Sequence, residues 1–389
     1  MSKSIKETLL GTLVHGEEIL QDIDLLGRVS EDKILHKDHA DAVLKNLHPK
    51  ELHLVVGDIY DTHKNAKVFR FYSKDGYLPP FEAGQFLNIF VEIDNVLTSR
   101  PYSISSSPRQ RAYYEITVAR AVNGFVSDYM LDKVKVGDEF TASTPAGVLH
   151  YNPVFHSKKQ LMLAGSSGIT PFMSMLRETL EAGLDKDMIL IYGARNAQAA
   201  FSYEELIRMS QTFPNFSYHL VVSDDDPTWT GERGFITREL IAMLCPDYME
   251  RTVYICGPVV MNQFCENQLL ELGLPKKNIR REMFGAAKDI TQEAGWPKEL
   301  DGSEMFKITV NENTVIPGRA GEPLLTPLER AGIRVNVCFR SGECSLCRVQ
   351  LVSGQVFLSK GMLLRKADEK YGYIHSCKSY PISDISILL

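Results

Sequence analysis

The sequence predicts a multidomain protein in which an antiparallel β-barrel, an α/β domain with a parallel sheet and a small α+β domain follow a helical N-terminal extension. Three observations predict it. Between His53 and about Pro145, short runs rich in β-branched and aromatic residues (HLVVGDIY, KVFRFYS, QFLNIFVEI, YYEITVARAV, EFTAST) alternate with Gly, Pro and polar turns, the pattern of a small antiparallel barrel. From Gln160 to about Phe284, apolar strands alternate with helical stretches, as in a parallel sheet wrapped by helices. Near the C-terminus, CFRSGECSLC gathers Cys338, Cys344 and Cys347, with Cys377 further on in IHSCKSY.

Residues 1–50 carry Ile5, Leu9, Leu10, Ile19, Ile23, Leu25 and Leu26 at helix-like spacing and no glycine-rich or cysteine motif. His36 and His39 lack the spacing and the glutamate of a zinc-binding HExxH and read as a solvated helix face. Residues 51–152 are assigned to the barrel and 153–286 to the α/β domain. There the strands QLMLAG, MILIYGA, FSYHLVVS and TVYICG alternate with the helical stretches PFMSMLRETLEAG, YEELIRMSQTF, FITRELIAML and VVMNQFCENQLLELG. Residues 287–303 are polar without a period and read as a linker. Residues 304–389, opened by MFKITVN, hold all four clustered cysteines.

The composition fits an ordinary globular chain. With 389 residues, 44% hydrophobic and 24% charged, it has material for about two or three domain cores. A net charge of −6 with scattered Lys and Arg offers no basic tract for nucleic acid. No apolar segment approaches bilayer length, and MSKSIKETLL lacks the apolar core of a signal peptide, so a cytoplasmic protein is expected. Seven cysteines, four of them in one motif, argue against a disulfide scaffold and for a reducing compartment.

Three thiolates in a tight cluster and a distant fourth are how a plant-type ferredoxin holds a [2Fe-2S] centre. That pattern places about four residues between its first two ligands. Here five (FRSGE) separate Cys338 from Cys344, and Phe339 stands at the usual place of the first ligand. Either the loop bulges by one residue and Cys338 reaches the iron, or the site is altered. Cys344 and Cys347 keep the two-residue gap, and Gly342 lets the backbone approach inorganic sulfide. A four-cysteine zinc site would normally present two pairs, not a triplet and a single cysteine. The four cysteines therefore read as [2Fe-2S] ligands, and the chain as a one-electron carrier.

RPYSISSSP, from Arg100 to Pro108, carries the next signal. A flavin nucleotide needs a cation for its phosphates, an aromatic face beside its ring and a donor at the ring nitrogen that receives hydride. Arg100, Tyr102 and Ser103 supply these in one strand, Arg100 and Tyr102 on a shared face. A solvated arginine beside a core tyrosine is the plain alternative for those residues alone. In NGFVSDYML, Gly124 and Ser127 open a helix whose free amides suit a pyrophosphate.

AGSSGITPF follows the strand QLMLA and precedes a helix, so Gly165 and Gly168 are expected to permit a tight turn and Pro171 to sit in the first helical turn. It is not a full G-x-G-x-x-G. In YICGPVVM a second strand ends at Cys256, Gly257 and Pro258 before another helix. Two such turns at strand C-termini are where an open parallel sheet binds a dinucleotide.

In this order RPYS, GxxS, GSSGITP, CGP, REMF and the cysteine-rich segment resemble the ferredoxin-NADP reductase superfamily. More narrowly, they resemble reductase components of the phthalate dioxygenase reductase and phenylacetyl-CoA epoxidase reductase type, which fuse flavin, nicotinamide and C-terminal [2Fe-2S] domains. The resemblance spans about His53 to Leu389. It implies an FAD-binding barrel, an NAD(P)-binding α/β domain and a β-grasp plant-type ferredoxin domain. It implies that Arg100 contacts flavin phosphate, that Tyr102 packs on the isoalloxazine, and that Ser103, after Pro101, hydrogen-bonds its N5. Gly124, Phe125, Val126 and Ser127 would hold the pyrophosphate, which favours FAD over FMN. Gly165, Gly168, Thr170, Pro171, Gly257 and Pro258 would bind the nicotinamide dinucleotide, with Thr170 and Cys256 near the nicotinamide. Glu282 and Phe284 match the acidic and aromatic pair that ends the nicotinamide domain near the flavin. Ser103, Tyr102, Cys256 and Glu282 are then the expected catalytic residues, whereas Cys265 reads as a small buried hydrophobe.

The strand HLVVS runs from Ser223 into Asp224, Asp225 and Asp226. Acids there repel a 2'-phosphate, which favours NADH over NADPH. Arg195, after the second strand, is the counterargument. The expected function is an NADH-dependent oxidoreductase that passes electrons through FAD and [2Fe-2S] to a redox partner protein such as an oxygenase or demethylase component. Two alternatives remain: a stand-alone diaphorase or flavin reductase with an altered cluster, and a redox-sensing subunit docked through the N-terminal extension.

Overall fold

The computed structural model describes residues 14–34, 43, 49–121, 124–224, 227–282, 289–337, 340–342 and 345–389. The chain divides into two units, Met1–Lys50 and Glu51–Leu389. In the first, helix α1 (Gly16–Ile34) opens with Glu17 and Glu18, carboxylates suited to a helix N-terminus. It exposes Ile19, Ile23, Leu25 and Leu26. His36 and His39 lie outside the described residues.

In the second unit, period-two burial builds the barrel. Strands β1 (Leu52–His63), β2 (Ala66–Ser73), β3 (Phe86–Ile93), β4 (Val96–Ser103), β5 (Tyr114–Ala119) and β6 (Glu139–Ala142) form an antiparallel sheet in the order β4-β3-β6-β1-β2-β5. Phe69 and Phe71, Leu87, Ile89 and Val91, and Ile116 and Val118 alternate into its core. The edge strands meet where Ile104 bridges Ile116 and the Ser105 amide donates to Glu115 O at 2.7 Å, which closes the sheet. Helix α2 (Phe125–Asp132) adds Val126, Met130 and Leu131 to this core.

The α/β domain reads as continuous apolar strands because its sheet is buried on both faces. Strand β7 (Lys159–Gly165), helix α3 (Thr170–Glu181), β8 (Asp187–Ala194), α4 (Tyr203–Thr212), β9 (Phe216–Val222), β10 (Glu232–Arg233), α5 (Arg238–Leu244), β11 (Thr252–Cys256), α6 (Val259–Glu271) and β12 (Ile279–Glu282) follow in turn. All the pairings are parallel, in the order β10-β9-β8-β7-β11-β12. Met162, Ala164, Tyr192 and Tyr254 face α3 and α4, while Leu161, Leu163, Ile191 and Ile255 face α5 and α6. The order reverses between β7 and β11, and that switch point is where such sheets hold ligands.

The C-terminal domain runs β13 (Met305–Val310), β14 (Thr314–Arg319), α7 (Leu325–Arg330), β15 (Arg348–Ser353), β16 (Val356–Leu358), α8 (Lys366–Lys370), β17 (Tyr373–His375), β18 (Ser379–Pro381) and β19 (Ile385–Leu388). Its mixed sheet has the order β14-β13-β19-β15-β17, with β13 and β19 parallel, and β16 pairs separately with β18. Leu324 and Leu328 carry α7 onto Ile308, Val310, Ile385 and Ile387, a helix grasped by a mixed sheet. The polar stretch read as a linker is anchored: Ile290 and Trp296 are buried with Ala320 and Tyr380, and Glu293 accepts from Ser359 Oγ at 2.8 Å. It shows no period because it folds as a turn and loop around single large anchors.

Candidate active site

The dinucleotide loops face each other across the switch point. Neither Gly165 nor Gly168 adopts the left-handed conformation expected of a tight glycine turn; Ser166 does, with φ 51°. The glycines serve contact instead. A Cβ on Gly168 would stand 2.1 Å from Cys256 O, and one on Gly165 2.1 Å from Met261 Sδ. A Cβ on Gly257 would lie 3.1 Å from Gly165 N, so three glycines let the β7 and β11 loops form one floor. Thr170 opens α3 with its hydroxyl on Ser167 O at 2.8 Å, and Pro171 sits in the first turn. This cradle, which any side chain would fill, fits a dinucleotide pyrophosphate.

Cys256 is 1% exposed, and burial followed by the charge of Glu282 pushes its thiol well up. The two residues are register partners across β11 and β12. Buried Glu282 also reaches the barrel, its Oε2 lying 3.5 Å from a Cβ position on Gly147. Pro258 precedes α6 as its cap. Cys265 is fully buried, its thiol pushed up to about 12 by burial. Asp224 follows β9, where Asn196 Nδ2 donates to its carboxylate at 3.3 Å and its amide donates to Arg195 O at 2.8 Å. Asp225, Asp226 and Phe284 lie outside the described residues.

Strand β4 presents the flavin candidates. Arg100, Pro101 and Tyr102 are half-buried, and Ser103 is buried. Burial raises the Tyr102 hydroxyl to about 12. Arg100 donates to Thr98 Oγ1 at 2.8 Å and to Ser99 O at 2.7 Å. Burial and then the charge of Arg340 push Arg100 down to about 10, against the pull of Glu329. Two guanidiniums thus sit with one carboxylate, and a phosphate at Arg100 would add the missing negative charge. Gly124 caps α2, and a Cβ there would meet Ser127 Oγ at 2.0 Å. Ser127 Oγ accepts from the Ala121 amide at 3.1 Å, Val126 is buried and Phe125 is exposed. These residues fit a flavin nucleotide.

The cysteine loop meets the same strand. Arg340 donates to Glu329 at 2.5 and 3.1 Å, to Ser99 O at 2.8 Å and to Thr98 Oγ1 at 3.2 Å. Thr98 Oγ1 in turn donates to Glu329 Oε2 at 3.2 Å, and Asn88 Nδ2 on β3 donates to Val337 O. Val337 and Arg340, either side of residues 338 and 339, are therefore both tied to the barrel. Cys347 Sγ and Cys377 Sγ are 3.0 Å apart, and both are buried. Gly342, at φ 79°, takes the left-handed turn, and His375 Nδ1 lies 2.9 Å from its carbonyl. Two buried sulfurs converging in this way fit soft-metal ligation. Cys338, Phe339 and Cys344 lie outside the described residues.

Sequence reasoning missed Asn88, Glu329 and Arg340, and also a buried ionic junction between barrel and α/β domain. Glu115, 2% exposed, accepts from Tyr60 at 2.8 Å, Arg70 at 3.1 Å, Ser105 at 3.0 Å and Arg177 at 2.6 Å. Arg177, on α3, also forks onto Glu205 at 2.8 Å twice. Burial favours the protonated Glu115 carboxyl, but Arg177 and the hydrogen bonds from Tyr60 and Arg70 together outweigh it and hold Glu115 below its ordinary value. No local spacing could signal partners drawn from separate domains.

Among the described residues no helix is long and apolar enough to cross a membrane. Residues 53–151 match the oxidoreductase FAD-binding domain, 162–267 the oxidoreductase NAD-binding domain and 308–381 the 2Fe-2S iron-sulfur cluster binding domain. The chain is 28% identical over 337 residues to the glycine betaine monooxygenase reductase subunit of Chromohalobacter salexigens, spanning 83% of this chain and 91% of that one. It is 29% identical over 306 residues to the NADH oxidoreductase HCR of Escherichia coli, spanning 79% and 88%. The structure of phthalate dioxygenase reductase, described as a modular structure for electron transfer from pyridine nucleotides to [2Fe-2S], aligns with a TM-score of 0.67 at 26% identity over 87% of this chain and 98% of that one. With its FAD-binding, NAD-binding and [2Fe-2S] domains in one polypeptide, the chain belongs to the ferredoxin-NADP reductase superfamily, among its fused flavin and iron-sulfur reductases.

Proposed function

We propose that this chain is an NADH-dependent reductase that delivers electrons through FAD and [2Fe-2S] to a protein partner, an oxygenase component being the class its relatives serve. Bound FAD would supply the conversion between the two-electron hydride of NADH and the single electrons an iron-sulfur centre carries. The observation that carries this reading is the convergence on β4. That strand bears Arg100 to Ser103 and also receives Arg340 from the cysteine loop.

Arg100 binds flavin phosphate, Tyr102 flanks the ring, Ser103 supplies the donor at its reactive nitrogen, and Gly124 to Ser127 cradle the pyrophosphate. Gly165, Gly168 and Gly257 hold the backbones of two loops close beneath the nicotinamide dinucleotide, whose ribose Asp224 favours without a 2'-phosphate. Cys256 and Glu282 seal the floor where nicotinamide and flavin meet. Cys338, Cys344, Cys347 and Cys377 hold the cluster. The buried, disulfide-free Cys245, Cys256 and Cys265 suit a reducing cytoplasm.

The test is an anaerobic absorbance spectrum of the purified protein before and after NADH, with iron and acid-labile sulfide assays. The expected result is about two irons per chain and bleaching of both chromophores. Flavin bleaching in an iron-free protein would replace this reading with a diaphorase.

A further inference from the structure

The rim of the cysteine loop is apolar at its centre and basic at its edge. Leu346, between Cys344 and Cys347, is 53% exposed, and Leu363 is 57% exposed. The Leu363 amide donates to Gly342 O at 3.0 Å, which seats Leu363 directly against the loop. Arg348 follows Cys347 immediately. Its guanidinium and that of Arg365 both bind Asp368, at 2.8 and 2.6 Å, and Arg348 also lies over the Tyr373 ring. The buried Asp368 carboxylate fixes two cations at the loop's edge while neutralising one charge. Lys360, Lys366 and Lys370 are exposed, and Glu369 is the exposed acid on α8. From Glu343 to Lys378 there are six cations and three acids, a net charge of +3 in a chain of −6.

A leucine centre inside a charged edge is the anatomy of a protein interface, with a core that excludes water and a rim that steers approach. The steering is attractive only toward negative charge. We propose that this face, centred on Leu346 and Leu363 and ringed by Arg348, Lys360, Arg365 and Lys366, docks a redox partner whose electron-accepting surface is acidic. The inference rests on the reductase function and adds the location and charge of the partner's contact.

Full-length holoprotein tests it with two oxidised probes, cytochrome b5, which surrounds its haem with acids, and cytochrome c, which surrounds its haem with lysines. Anaerobic flavin reduction by NADH serves as the partner-independent reference. NADH-driven rates are followed from about 20 mM to about 500 mM salt, a range that cuts the screening length several-fold. The expected result is reduction of cytochrome b5 at least about tenfold faster than cytochrome c at low salt, with the advantage lost at high salt. The Lys360→Glu/Lys366→Glu variant should lower the cytochrome b5 rate about tenfold at low salt and flatten its salt dependence. Its flavin and iron content and its rate of flavin reduction by NADH should stay unchanged, because neither side chain holds a cofactor. Leu346→Gln should weaken calorimetric binding of cytochrome b5 at every salt concentration.

A preference for cytochrome c, or a charge reversal without effect on cytochrome b5, overturns the proposal. So does charge-dependent capture by anionic phospholipid vesicles without binding of cytochrome b5, or self-association of the chain through this face. Failure of the reductase function itself looks different: NADH then leaves the iron chromophore unbleached, and the docking proposal falls with it.

Discussion

Gly168→Ala asks whether the dinucleotide floor depends on two loops in direct backbone contact. The new methyl would stand 2.1 Å from Cys256 O and 2.6 Å from Gly257 Cα. Both neighbours are backbone, so no side chain can rotate away. Ordinary contact begins at 3.4 Å, and the β7 and β11 loops must part by about 1.3 Å to reach it. A misplacement of about 1 Å at a reacting geometry costs on the order of 10²-fold in rate, some 2.7 kcal/mol of barrier. Anaerobic stopped-flow measurement of flavin reduction by NADH should therefore show kcat/KM reduced about a hundredfold. FAD content should be unchanged, since β4 and α2 belong to the barrel. Gly193→Ala is the matched control on β8, because its methyl would meet nothing closer than 3.7 Å. A Gly168→Ala rate within about threefold of the unaltered protein, less than 1 kcal/mol, would refute the contact argument.

Two further perturbations read the junctions between domains. Arg340→Met leaves Glu329 buried without its forked partner, a loss of roughly 3–5 kcal/mol for a broken buried pair. It should slow cluster bleaching while flavin reduction by NADH proceeds unchanged, and Glu329→Gln in the same chain should restore part of the loss in a double-mutant cycle. Equal slowing of both steps would mean that Arg340 acts on the whole fold instead. Arg177→Met should lower the thermal unfolding temperature by several degrees, because Glu115 keeps Tyr60, Arg70 and Ser105 but loses its closest cation. Glu115 is held below its ordinary value. Its stabilisation is thus present above the ordinary carboxylate range and disappears as pH falls through the folded value. The gap between the unaltered protein and Arg177→Met should narrow on acidification, and a gap constant with pH would remove Glu115 from the account.

Much of this architecture is legible in the sequence because its signals are local. QLMLAG and MILIYGA read as buried parallel strands because both faces are covered, and RPYS advertises a cation, an aromatic and a hydroxyl within four residues. β12 escapes notice because IRRE is mostly polar: Arg281 pairs with Glu266, and Glu282 is buried against the barrel. The glycines of GSSGITP are visible, yet their purpose is not, since Gly168 answers to Cys256 on a different strand. Arg340 is harder still, because its acceptor Ser99 O is 241 residues away in sequence and is a backbone atom that any residue could supply.

Those distant contacts explain why the flavin strand and the cysteine loop hold one geometry. Apolar packing tolerates small slips, whereas a buried guanidinium tolerates none that strands it from its acceptors. Arg340 is committed to Glu329, Ser99 O and Thr98 Oγ1 at once, and Arg100 competes for the last two. A shift of the loop by one residue would draw the buried Arg340 guanidinium away from Glu329, Ser99 O and Thr98 Oγ1 together. Val337, tied to Asn88, and Arg340, tied to β4, fix the chain on either side of residues 338 and 339.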